Sequence, residues 1–340
     1  MSFFNMTTGT YTDYNDMLNK IKDVAVSLGF TVVNHGDNIL YSGSNQVLRG
    51  TRLNLQKGNT FLNLAGASGI NPSSYFLQSL TNNSKVIQCS ISNTYSSSFW
   101  SVDSNRIKTS QVGENNTYYI FTKGDGFLVC MKISARQYTF INFLNIDSYN
   151  SANTLKCCSA GRSSGQSLSS SDYNTTIQAY VHYPFLCHRS LYRSSGSDSQ
   201  FDVMKNEQDT FTSARFNFLT NAYSGSQNVY SNQFSYGYNN ISSPLGKSKS
   251  PFSAKSSPFL IDIRNYFSNT SIPTKLGAIK DMYVVVLDGY ESGEIFDIGS
   301  GSTTETYICL PFFEKPPASE ATDIYGYNLG VIIKIGEVNA

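Results

Sequence analysis

The chain has 340 residues, with 25 basic and 24 acidic side chains and a formal net charge of +1, a balance that excludes electrostatic steering toward nucleic acid or an anionic membrane. Charged residues make up 14% of the sequence, against roughly 25% in ordinary globular domains. Aromatics also reach 14%, with 23 Tyr, 22 Phe and a single Trp.

Polarity comes instead from Ser, Asn, Thr and Gln. Such a surface holds partners by hydrogen bonds and tyrosine contacts, which tolerate salt better than ion pairs do. That favours an assembly or binding protein over a free cytosolic enzyme. No stretch approaches the ~18 consecutive apolar residues of a membrane span. The opening "MSFFNMTTGTYTD" has neither the basic segment nor the long apolar run of a secretory signal, so ordinary export is not expected. The six cysteines (Cys89, Cys130, Cys157, Cys158, Cys187 and Cys309) are widely spread and form no CxxC pair. They read as mostly reduced, buried small apolar residues. Sequons at Asn82 and Asn174 follow from the Asn/Ser/Thr content and need no glycan.

Residues 8–30, "TGTYTDYNDMLNKIKDVAVSLGF", form the clearest helix pattern. Tyr14, Met17, Leu18, Ile21, Val24, Ala25 and Leu28 line one apolar stripe. Thr10 and Thr12 are candidate N-caps, and Asp13 and Asp16 lie near the positive end of the dipole. Gly29 stands where a left-handed C-cap is expected, and "FTVV" then starts a strand. From there the period shortens. "NILYSG" and "RLNLQ" read as arms of a meander, followed by the alternating runs "TFLNLAGASG", "KVIQCSIS", "SFWSVD", "TYYIFTKGDGFLVCMKIS" and "YTFINFLNI". "KGDG" at 123–126 reads as a hairpin turn in which Asp-Gly supplies positive φ.

Residues 148–200 and 220–258 are dense in Ser, Asn, Gly and Tyr and cannot bury much apolar area. "IQAYVHYPFLCH" and "SARFNFL" supply strand-like pieces between them. Order returns with "PFLIDIRNYF", "KDMYVVVLDGYESGEIFDIGSGSTTETYICLPFF" and "YNLGVIIKI". No repeat of 20–50 residues is present, against a β-helix fibre or propeller. The expected fold is mainly β (α+β): antiparallel, sandwich-like sheets with one N-terminal amphipathic helix and long polar loops. The expected organisation is a helix-plus-sheet region at 1–147, a loop-dominated region at 148–258 and a β region at 259–340 that completes one composite core.

The best acidic cluster is Asp288, Glu291, Glu294 and Asp297 in "DGYESGEIFDIG". Calcium would use such oxygens, but the spacing fits no EF-hand, and Gly289 and Gly293 read as a charged turn before a strand. His182, Cys187 and His188 in "HYPFLCH" offer three local soft ligands for zinc, but a fourth is not local, Cys157 and Cys158 are adjacent and do not both point inward easily, and ordinary strand packing is the favoured reading. His35 lies in "VNHGDN", read as a turn. No G-x-S-x-G elbow is present to select a nucleophile, and "GDGF" and "GSGS" lack the context of a phosphate loop. No residue is assigned a catalytic, cofactor-binding or metal-binding role. The aromatic segments around Trp100 and at 229–240, "VYSNQFSYGYNN", read equally as contact loops, for protein rather than glycan, and as Tyr-rich loops that pack on their own domain.

Taken in order, "TGTYTDYNDMLNKIKDVAVSLGFTVV" with "ILYSG", then "FLNID", "CHRSLYR", "LGAIKDMYVVVLDGYESGEIFDIGS", "TYICLPFF" and "LGVIIKI", resemble a group of tailed-bacteriophage virion structural proteins. Those proteins open on a TGTATDY-like segment and an amphipathic helix. The chain differs from them in lacking Trp-rich strands and in its long Ser/Asn-rich middle. The resemblance implies a non-enzymatic particle component, present in several copies on the tail, baseplate or neck. It would be made in the bacterial cytoplasm, contact itself and other virion proteins, and use no cofactor. A receptor- or glycan-binding tail protein is the alternative expectation.

Overall fold

The computed structural model describes residues 3–43, 46–68, 85–92, 95, 108–113, 115–133, 138–149, 155–162, 201–205, 208–217, 259–265, 274–287, 289–300, 302–313 and 329–339. Within these the chain is mainly β, sandwich-like and antiparallel, with one helix. The strand β1 (Asn5–Tyr11) precedes the helix α1 (Tyr14–Ser27), so the chain does not open on the helix, contrary to the sequence expectation. Thr10 is taken into pairing with Thr117 and cannot cap. The N-cap is Asp13, in extended backbone, whose Oδ1 accepts from Asn15 N at 2.8 Å and Asp16 N at 2.9 Å. Asp16 reaches back to accept from Thr12 N at 3.0 Å, a near-reciprocal box. At the other end Gly29 adopts φ 84, as expected. Phe30 N then donates to Ala25 O and Gly29 N to Val26 O, the paired bonds of a Schellman stop.

The smaller sheet has five strands in sequence order: β2 (Thr31–Gly43), β3 (Gln46–Lys57), β4 (Thr60–Ser68), β5 (Lys85–Ser92) and β6 (Lys108–Val112). Its alternation sorts side chains cleanly. Leu53 faces Leu64, which faces Cys89, and Leu55 faces Leu62, which faces Ile91. This leucine-rich face receives the helix: Met17, Leu18, Ile21 and Ala25 are buried in one cluster with it. Each large side chain so buried contributes roughly 1.5–3 kcal/mol. The opposite face is polar yet also buried: Asn54 Nδ2 donates to Asn63 Oδ1, and Asn63 Nδ2 to Ser92 Oγ at 3.0 Å, while Asn54 Oδ1 has no hydrogen-bond partner among the described residues.

The larger sheet continues with β7 (Asn116–Lys123), β8 (Gly126–Lys132), β9 (Tyr138–Ser148) and β10 (Leu155–Arg162). It is carried on by β11 (Phe201–Lys205), β12 (Gln208–Asn217), β13 (Phe259–Asn265), β14 (Thr274–Val286), β15 (Ile295–Ser300), β16 (Thr303–Phe313) and β17 (Leu329–Asn339). The hairpin β7–β8 is as predicted, but the positive φ of 62 belongs to Gly124, the first turn residue. A glycine there supplies the twist-compatible conformation expected of Asp-Gly. Strands β10, β11 and β12 fall inside the region expected to be loop-dominated, most of which lies outside the described residues.

The 12-stranded order is β1-β7-β8-β9-β10-β11-β12-β13-β14-β17-β16-β15, and β9 also pairs with β14. The sheet therefore curls back on itself. At the β9–β14 crossing Gly277 lies against the Asp147 backbone so closely that a Cβ would overlap it. Phe4 N donates to Lys334 O at 2.9 Å, bringing the start of the chain onto β17. Strand parity divides β7–β9 between two layers. Ile120, Phe127, Val129, Ile141 and Phe143 join the helix and the small sheet in one core. Phe121, Leu128, Cys130 and Phe140, also buried, point to the other face, within the curl.

One charged clamp joins these layers. Lys156 Nζ donates to Asp125 Oδ2 at 2.6 Å, and Asn145 Nδ2 to Asp125 Oδ1 at 2.6 Å. Lys57, from the small sheet, sits 3.7 Å from Asp125 and donates to the helix's terminal carbonyl at Leu28. Burial works against the Asp125 charge, but the bonds from Lys156 and Asn145 outweigh it and hold its carboxyl below the usual range.

Candidate functional site

The C-terminal strands carry a second, separate apolar cluster. Register sets its composition. Tyr283 faces Ile332, Ile332 faces Cys309, Tyr307 faces both Lys334 and Phe296, and Ile298 faces Glu305. Val285, Tyr307, Cys309 and Ile332 are buried, while Tyr283, Leu287, Tyr290, Phe296 and Ile298 pack against them half-exposed. Four rings form a row: Tyr290 to Phe296 at 5.3 Å, Phe296 to Tyr307 at 6.0 Å and nearly parallel, and Tyr307 to Tyr283 at 6.2 Å, edge-on. Beside the row β15 is the last strand of the sheet among the described residues, with Ile295 55% exposed.

The turn before β15 is pinned rather than loose. Gly289 and Gly293 take φ of 83 and 78. Tyr290 N donates to Leu287 O at 3.0 Å, Gly293 N to Cys309 O at 2.8 Å and Cys309 N to Glu294 O at 2.9 Å. Ser292 Oγ donates to Tyr138 OH at 3.0 Å, tying the turn to β9. Rings on such a support lose little freedom when a partner covers them.

Charge on this face is acidic. Lys334 Nζ donates to Glu305 Oε1 at 2.6 Å and also to Glu337, while Tyr307 OH donates to Glu305 Oε2 at 2.6 Å. Glu291 and Glu294 lie on the turn, and Asp281, paired with Lys123, acts on Tyr283 and Tyr307 from nearby. Hydrogen bonds from Lys334 and Tyr307 hold the Glu305 carboxyl low. Burial opposes the Lys334 charge, but its bonds to Glu305 and Glu337 prevail and raise its pKa. Burial pushes Tyr290 up to about 12, helped by Cys309 and Glu294. Burial followed by the bond to Glu305 raises Tyr307. These tyrosines stay neutral donors at physiological pH.

The acidic residues singled out from sequence do not converge on a point. Glu294 accepts from the Glu291 backbone N at 3.0 Å. Asp297 accepts from Thr306 Oγ1 at 2.7 Å on the opposite face of β15 from Phe296. Asp288 lies outside the described residues, and no group of three His, Cys, Asp or Glu among the described residues is placed to hold a metal. His35 is not in a turn: it stands exposed within β2, because the strand runs on through Gly36 and Asp37 opposite Arg52 and Thr51. Partial burial and then Lys22 lower its pKa, with Asp23 opposing. His182, Cys187, His188, Trp100 and the segment 229–240 lie outside the described residues. So do Asn82 and Asn174. Cys89, Cys130, Cys158 and Cys309 are buried and not in disulfides, as the sequence predicts.

The sequence points to aromatic contacts in polar loops and gives no prominence to Tyr283, Tyr290, Phe296 and Tyr307. The signal it does hold is alternation, in Tyr283-Val285-Leu287, Phe296-Ile298 and Tyr307-Cys309, which places aromatics on one face once register is known. No helix among the described residues is long and apolar enough to cross a membrane. No protein-family model and no curated protein matches the chain.

Proposed function

We propose that this chain is a non-enzymatic structural component of a tailed-bacteriophage particle, in the tail, baseplate or neck, working through contacts with copies of itself and other virion proteins. The observation that supports a contact role is the half-exposed row Tyr283, Tyr290 and Phe296 beside β15, the last strand of the sheet among the described residues. Aromatic rings on a rigid sheet are efficient anchors for another protein, and a terminal strand can accept a further strand by backbone pairing. The resemblance of the N-terminal and C-terminal segments to phage virion proteins supplies the particle.

Mass spectrometry of purified particles tests this reading. The chain should be present at a stoichiometry of several copies, and its absence from clean particles would sink the proposal. Phe296→Ser tests the surface itself. The ring is half-exposed, so the variant should fold but enter particles several-fold less efficiently than wild type. The same row beside carboxylates also suits stacking on a sugar with hydrogen bonds to its hydroxyls, which keeps a receptor- or glycan-binding tail protein as the second reading. Retention of the purified chain on immobilised host glycans, lost in Phe296→Ser, would favour that alternative.

A further inference from the structure

We propose that Cys89 and Cys158 form an oxidative cross-linking site, which closes into a disulfide and ties the small sheet to the large one. Cys89 lies on β5 and Cys158 on β10, and their Sγ atoms are 3.7 Å apart. Both side chains are fully buried in the shared core, where Leu64 faces Cys89 across the small sheet and Phe143 faces Cys158 across the large one. These packed rows aim the two thiols at one another from opposite layers. Strands β5 and β10 lie against each other across the shared core. Closure requires the sulfurs to approach by somewhat under 2 Å, to about 2.05 Å, which rotation about the two Cα–Cβ bonds supplies in part.

The chemistry balances with a peroxide as oxidant. One thiol sulfur attacks a peroxide oxygen, the O–O bond breaks, and a sulfenic acid and one water result. The second thiol sulfur then attacks that sulfenic sulfur, the S–O bond breaks, and the oxygen leaves as a second water with the remaining thiol proton. Two thiols are oxidised and one peroxide is reduced. Cys130 on β8, equally buried, is an internal control. The bridge would join positions 69 residues apart and so constrain a long loop of the unfolded chain.

The folded, full-length chain is exposed to hydrogen peroxide, its remaining thiols are alkylated under denaturing conditions, and it is digested without reductant. The expected product is one peptide pair joining Cys89 to Cys158, lighter by two hydrogens than the separate thiol peptides, with Cys130 recovered alkylated. The oxidised protein should melt on the order of 5 °C higher, reversibly with dithiothreitol. Cys158→Ala and Cys89→Ala should each lose that shift, and if neither folds the wild-type peptide map still decides. Recovery of Cys89 and Cys158 as separate alkylated or over-oxidised residues overturns the proposal. So does a bridge to any other cysteine, or a Cys89–Cys158 bridge without a rise in Tm.

Discussion

Removing the Asp125 carboxylate is expected to loosen the contact between the two sheets, because of what it leaves behind. Lys156 is 4% exposed as a side chain and its Nζ lies 2.6 Å from Asp125, which is itself 30% exposed. In Asp125→Ala that ammonium stays buried with Asn145 Oδ1, at 3.3 Å, as its one remaining hydrogen-bond acceptor among the described residues. Stranding one partner of a fully buried pair costs about 3–5 kcal/mol, and partial solvent access to this pair reduces the expectation to about 2–4 kcal/mol. For 340 residues the unfolding entropy is roughly 0.7 kcal/mol per degree, so Tm should fall by about 3–6 °C. Lys156→Met removes the buried charge itself and keeps the stem over Phe143, so it should cost less.

The pH dependence follows from the direction of the shift. The Asp125 carboxyl is held low, so its contribution is present above the ordinary aspartate range and is lost as pH falls through the lowered value. Differential scanning calorimetry of wild type and Asp125→Ala from neutral to acid pH should show two curves that converge in acid. A variant melting within about 1 °C of wild type at neutral pH, or Lys156→Met falling further than Asp125→Ala, would refute the buried-charge reasoning.

Asp13→Ala removes the acceptor for two helix N–H groups and should cost about 1 kcal/mol by urea denaturation, whereas Asp13→Ser should recover most of it. Gly66→Ala drives a methyl into the Tyr14 and Leu18 side chains under the helix and should destabilise by about 1–3 kcal/mol; an unchanged urea midpoint would argue against close packing there. Glu305 is held low and Lys334 high, so stability from their pairing is present between the two ranges. It should fade as pH drops through the lowered Glu305 value and as pH rises through the raised Lys334 value. Glu305→Gln should flatten the acid limb of a Tm-versus-pH curve, and an unaltered limb would assign that limb to other carboxylates.

The helix is legible in the amino-acid sequence because its information is local. The apolar stripe from Met17 to Ala25 and the stop at Gly29 depend only on residues within a few turns of one another. Strand alternation is legible for the same reason, and with it the mainly antiparallel class. The cap at Asp13 is less so, because Thr10 is equally suited to capping and is withdrawn only by pairing with Thr117, distant in the chain. His35 reads as a turn residue because His-Gly-Asp-Asn has turn chemistry. Pairing with β3 overrides that local preference.

What only the tertiary structure decided is register and closure. The aromatic row requires Tyr283, Tyr307 and Phe296 to meet from β14, β16 and β15, which with the intervening β17 are ordered β14-β17-β16-β15 in the sheet, not as in the chain. The contact between Cys89 and Cys158 depends on which faces of two sheets meet, and the crossing at Gly277 on how far one sheet curls. Period and propensity act along the chain, whereas these juxtapositions are set by long-range pairing energies that no short window of sequence contains. The sequence by itself determined the helix and the alternation of most strands; long-range pairing added β1 and β10–β12 and, with the folding of one sheet onto itself and against the other, determined which residues stand together.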